Sequence, residues 1–173
     1  MKIIEGMKEI KDLAQKRDDL IKKVTDHAAI MDFETPTYTD QKAQIDSWLQ
    51  SVADINKRIL EIRISIQRTN LQTMVPIQLN GSTVNKTIAE WVHRRRDLAG
   101  EDKKVWEALN IKERTGRVKD GQMPTSMAGQ VRDVKILRYY DPKTRDEKMA
   151  LYQSEPSKID ATLEVVNAVT DLV

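Results

Sequence analysis

Cysteine is absent from the 173 residues, which removes disulfides, thiolate metal sites and cysteine nucleophiles together. Histidine occurs twice, as His27 and His93, and neither stands beside another ligand type at metal spacing. Aromatic residues make up 5% of the chain, a scarcity expected where long helices expose much of their surface. No run of about 18 apolar residues occurs, so no membrane-spanning helix is expected. The opening residues lack the apolar core of a signal peptide, which points to a cytoplasmic or virion-associated protein. Excess charge is missing as well. The 29 basic and 27 acidic residues leave a net +2, too little for a strong field toward nucleic acid or membrane.

Catalytic constellations are equally lacking. Gly116, Gly121 and Gly129 are irregularly spaced, with no following Lys-Ser/Thr to make a phosphate loop. Glu90 and the Glu101-Asp102 pair sit among lysines and arginines, and nothing in the sequence desolvates them to tune an acid and a base. No catalytic residue, cofactor or metal ligand is expected, and the chain reads as a non-enzyme.

Present instead is helical periodicity. Over residues 2–31, Ile3, Met7, Ile10, Ala14, Arg17, Ile21, Val24, Ala28 and Met31 step by alternating four and three, with Arg17 alone breaking an apolar seam. Pro36 and three threonines then stop the helix, and Thr39 or Asp40 caps the next. From about 40 to 69 the same step places Ile45, Trp48, Val52, Ile55, Ile59, Ile62 and Ile66 in seven consecutive seam positions, the pattern of knobs-into-holes packing. A short connection makes the pair antiparallel. Leu60, Ile64 and Leu71 lie off that seam, which marks them as an oligomer or partner interface.

After residue 70 the period changes. Val75, Ile77 and Leu79 alternate with polar residues, and Asn80-Gly81 is a strong hairpin-turn signal. Ser82 or Thr83 is expected to cap a third helix, over about 87–111, with Gly100 kinking or dividing it. Residues 112–130 read as a loop. Val131 to Tyr140 reads as a strand pairing near residue 77. Two short helices are expected to follow, the first capped by Thr144 and Glu147, the second starting at Pro156. The expected fold is mainly α with a minor β element: one elongated domain over 1–173, made of a hairpin (2–69), a β-turn segment (70–86), the third helix, the loop, and a strand plus helices (131–173).

Arg68-Thr69-Asn70, Asn80-Gly81-Ser82-Thr83, Arg96-Asp97-Leu98, Lys135-Ile136, Ile159-Asp160 and the ending Asn167-Ala168-Val169-Thr170-Asp171-Leu172 resemble, in order and spacing, the septicolysin-like proteins. These are small helical proteins of bacteria and their phages. Ala168 departs from the Trp of that pattern, the 112–129 loop is longer, and Leu137 to Ile159 is more similar to the phage-borne relatives. The resemblance brings no catalytic residue with it, and the family name implies a membrane-active, cytolysin-like role.

One local charge excess stands out. Between Lys86 and Lys119 ten basic residues face six acidic ones, with Arg94, Arg95 and Arg96 in the third helix and Lys112, Arg114, Arg117 and Lys119 after it. A patch of this kind, with Trp91 and Trp106 nearby, suits phosphate contact. It suits equally the pairing of each arginine with a carboxylate, since three consecutive arginines point in three directions around a helix. The expected function is a structural or assembly protein acting as a homo-oligomer, in a bacteriophage virion or its assembly. A nucleic-acid-binding protein and a membrane-active protein are the alternatives.

Overall fold

A computed structural model describes residues 1–79, 81–110, 121–124, 131–134 and 137–173, the two four-residue segments by backbone alone. Mainly helical architecture with small two-stranded sheets is observed. The chain forms two compact units: Met1–Ile77 with Val84–Glu90 and Ala161–Val173, and Gln78–Thr83 with Trp91–Asp160.

In the first unit, helix α1 (Ile3–His27) packs along helix α2 (Gln41–Gln72). Glu5 accepts a bond from the Lys2 amide at 2.8 Å, which satisfies one of the orphan donors at a helix start. Asp40 caps α2 by accepting from the Ala43 amide at 2.9 Å. The α1 carbonyl end is closed by Gln41, whose Nε2 donates to the His27 oxygen at 3.0 Å.

The α2 seam follows the expected positions: Trp48, Ile55, Ile59 and Ile62 are buried, and Ile45, Val52 and Ile66 half-buried. The α1 seam does not. Met7 and Ile21 are exposed, and the inward positions are Ile3, Gly6, Ile10, Leu13, Arg17, Leu20, Val24 and His27. Alternate positions slide back by one residue, although Ala14 stays half-buried, and at the first of them Gly6 lets another part of the chain approach. A Cβ there would meet Leu172 Cδ1 at 3.0 Å and Ile62 Cγ2 at 3.2 Å. The helix also ends at His27 and not at 31.

The C-terminal residues close this unit. The Ile3 amide donates to Thr170 O at 3.0 Å, and the Leu172 amide to Met1 O at 2.8 Å. The Val173 amide reaches Thr69 Oγ1 at 3.0 Å, and Lys2 pairs with Asp171 at 2.6 Å.

Strand β1 (Met74–Leu79) pairs with β2 (Ser82–Thr87), and Gly81 takes the left-handed φ of +78° that the hairpin turn requires. Ser82 and Thr83 therefore lie in a strand, not at a helix start. Helix α3 (Ile88–His93) begins close to the expected position 87, and its cap is Thr87, boxed with Glu90, in place of Ser82 or Thr83. The Thr87 amide donates to Glu90 Oε2 at 2.8 Å, and the Glu90 amide to Thr87 Oγ1 at 3.2 Å. A Thr three residues ahead of Glu is visible in the sequence; a second strand, β2, fills the residues between the turn and that box.

In the second unit, α3 opens into a π-helical turn (Arg94–Leu98) before α4 (Ala99–Glu107). The Ala99 amide bonds Arg94 O, five residues back. The departure from regular helix thus precedes Gly100. Strand β4 (Val131–Val134) pairs antiparallel with β3 (Gly121–Pro124), Gly121 opposite Val134, and not with the segment near residue 77. Closing a short loop costs less entropy than reaching a distant strand, and β1 is already paired with β2. The expected loop at 112–130 therefore holds a strand.

Helix α5 runs unbroken from Pro142 to Val169, where two helices were expected. Asp141, and not Thr144, caps it, accepting from the Lys143 and Thr144 amides at 3.1 and 3.0 Å. Pro156 lies inside the helix. The residue before a proline normally leaves helical conformation; here that residue is Glu155, held by the contacts described next.

Candidate interaction surface

Two side-chain groups concentrate the chemistry of the chain: the arginines of α3 and the π turn, and the outward face of α2. Arg94 is mostly buried and faces Glu155, which is 5% exposed. Its Nε donates to Oε1 at 2.6 Å and its Nη2 to Oε2 at 2.8 Å, while Nη1 donates to Asp102 at 2.5 Å. The guanidinium also lies 5.4 Å from the centre of the Tyr152 ring. The Glu155 hydrogen bonds, and to a lesser degree Asp102, push the Arg94 pKa still higher than its ordinary value. Arg95 pairs with Asp160, and Arg96 with Asp97 at 2.7 Å.

Three consecutive arginines thus meet different acidic partners. The i+5 turn sits where they do so. Trp91 is fully buried, so its ring is closed to a stacking base. Lys112, Arg114, Arg117 and Lys119 lie outside the described residues. Sequence reasoning found the arginines but not Glu155 and Asp160, which stand more than 60 positions away and carry no local signal.

The outward face of α2 is a different matter. Leu60 is 58% exposed, Ile64 38% and Leu71 66%. Leu49, which the sequence reading passed over, is 51% exposed on the same line. At about 100° per residue these four fall within a band of roughly 60°. The strip lies on the opposite side of α2 from much of its α1-facing seam; exposed Gln67 interrupts it between Ile64 and Leu71, and apolar residues aligned along one face are more informative than scattered ones.

Elsewhere, His27 meets Tyr38 edge to face and Trp48 at a tilt, at centroid distances of 5.4 and 5.6 Å, an aromatic plug at the hairpin's connecting end. Among the described residues no helix is long and apolar enough to cross a membrane. An open depression of about 340 Å³ follows one face of α1 between Glu5 and Lys16, lined by Leu13 and by the side chains of Glu5, Lys8, Glu9, Asp12 and Lys16.

No family model matches the chain, and no curated protein does. The whole chain is similar in structure to a functionally unknown conserved protein from Corynebacterium diphtheriae, at a TM-score of 0.56 and 17% identity, covering 99% of that protein's chain. At that identity the likeness concerns the fold alone.

Proposed function

We propose that this chain is a non-enzymatic structural or interaction protein that works as a homo-oligomer. The observation carrying this reading is the exposed apolar strip of Leu49, Leu60, Ile64 and Leu71 on a 32-residue helix. A helix of that length extends about 48 Å, a rigid spacer whose inner face is occupied by α1. Its outer face offers hydrophobic area whose removal from water favours association, at about 25 cal/mol per Å² before the costs of ordering. The resemblance of Leu137 to Ile159 to phage-borne proteins makes a virion or its assembly the proposed setting.

Light scattering behind a sizing column tests it, across protein concentrations and at low and high salt. The expected result is a mass above the monomer at tens of micromolar that persists in salt, because the contact is apolar. Leu60→Glu with Leu71→Glu is expected to return the monomer with unchanged helical circular dichroism. A monomer at every concentration overturns the reading.

A further inference from the structure

The strip has an internal symmetry that specifies how two copies meet. Leu49, Leu60 and Leu71 are spaced by eleven residues, as are Ala53 and Ile64. Eleven residues are three helical turns with a drift of only about 20°, so the leucines stay in line along about 33 Å of helix. The arrangement is centred: Leu49 and Leu71 are equidistant from Leu60.

Charges on one flank complete the pattern. Asp54, Lys57, Glu61 and Arg68 are exposed and lie about a sixth to a third of a turn to the same side of the strip. We infer that a second copy of this chain docks antiparallel on α2 about a two-fold axis at Leu60. This geometry rests on the homo-oligomer reading and adds orientation and register to it.

Under that axis, residue n of one copy lies level with residue 120 − n of the other, and each flank faces itself, as an isologous contact requires. Leu49 meets Leu71 of the second copy, and Leu60 meets its own counterpart. Arg68 comes within two residues, about 3 Å along the axis, of the level of Asp54. Lys57 comes equally near Glu61. A parallel pair turns this flank toward the other side of the strip, where Arg63 is the single charged residue between 49 and 71.

The strip's footprint also sets the strength of the contact. About 33 Å by about 10 Å is roughly 330 Å² per copy, well below the roughly 800 Å² per partner of a standard stable interface. The dimer is therefore concentration-dependent.

The absence of cysteine makes the test direct. Gln50→Cys, Arg63→Cys and Gln72→Cys, each spin-labelled singly in the full chain, are measured by pulsed electron resonance at concentrations where scattering gives a dimer. The axial separation between like labels is expected at about 30, 9 and 36 Å respectively. Glu61→Lys is expected to weaken dimerisation several-fold and Lys57→Glu/Glu61→Lys to restore it. Three short distances, or a shortest distance away from Arg63, overturn the two-fold while the oligomer itself stands. A monomer by scattering throughout removes the oligomer reading and the two-fold together.

Discussion

The Arg94 guanidinium grips the Glu155 carboxylate through two parallel hydrogen bonds, 2.6 and 2.8 Å long, across 61 positions of sequence. Fork-to-fork geometry of this kind is strong because both bonds are charge-assisted and the two planar groups match. The pair holds the pre-proline residue of α5 inside the helix and so explains why one helix is found where the sequence pattern predicts two.

Removing one member leaves the other charge buried and unpaired. Arg94→Ala is expected to destabilise the protein by about 3 kcal/mol, read as a lower urea midpoint. Arg94→Met/Glu155→Met is expected to recover most of that loss, since an apolar pair of similar volume removes both desolvation costs. Arg95→Ala and Arg96→Ala are expected to cost under about 1 kcal/mol each, because their partners are exposed. Equal effects at all three arginines would contradict this ranking.

Pro156 supplies a second test of the same helix. Its missing N–H deprives the Tyr152 carbonyl of its usual partner, an interior defect worth about 3 kcal/mol, offset by about 1 kcal/mol through the stiffer unfolded chain. Pro156→Ala is therefore expected to stabilise by about 2 kcal/mol. Thermal unfolding of the variant checks the sign.

The Thr87/Glu90 box carries a pH dependence. The Thr87 amide, then its hydroxyl, bond the Glu90 carboxylate and hold its pKa below the ordinary value of 4.5. A lowered folded-state pKa means the contribution is complete above 4.5 and is lost as pH falls through the folded value. Asp141, bonded by the Thr144 hydroxyl and the Thr144 and Lys143 amides, shifts the same way. Urea midpoints are expected to fall between pH 5 and pH 3, and Glu90→Gln to flatten part of that slope. Thr87→Ala at pH 7 is expected to cost about 1 kcal/mol as a lost cap.

Two glycines are expected to respond oppositely. Gly6 is buried against Leu172 and Ile62, so Gly6→Val overpacks the site and is expected to destabilise by about 1 to 3 kcal/mol. Nothing lies within 4 Å of a Cβ built at Gly100, and Gly100→Ala is expected to stabilise α4 by up to about 1 kcal/mol. Denaturant titration of both variants distinguishes close approach from mere tolerance.

Legibility followed range. The α2 seam, a cap at Thr39 or Asp40, the helix–helix connection and the hairpin turn at Gly81 were open to reading, since each rests on residues a few positions apart. The α1 seam was read in the right period but one residue off at alternate positions. A glycine scores as neither apolar nor polar, and only Leu172, arriving from the far end of the chain, makes Gly6 an inward position. Of the surface, Leu60, Ile64 and Leu71 were legible as off-seam apolar residues. Leu49 was not, because eleven-residue spacing escapes a search for heptads.

By itself the sequence determined the mainly helical class, the two long helices and the turn chemistry, because hydrophobic period, caps and turn residues act locally. Tertiary structure alone decided which carboxylate meets which arginine, which strand pairs with β4, and whether Pro156 breaks its helix. Those outcomes turn on contacts between residues far apart in sequence. Their energy, in a desolvated ion pair or a close-packed glycine, competes with local preferences that differ by a few tenths of a kcal/mol for most residues and by about 3 kcal/mol for an interior proline.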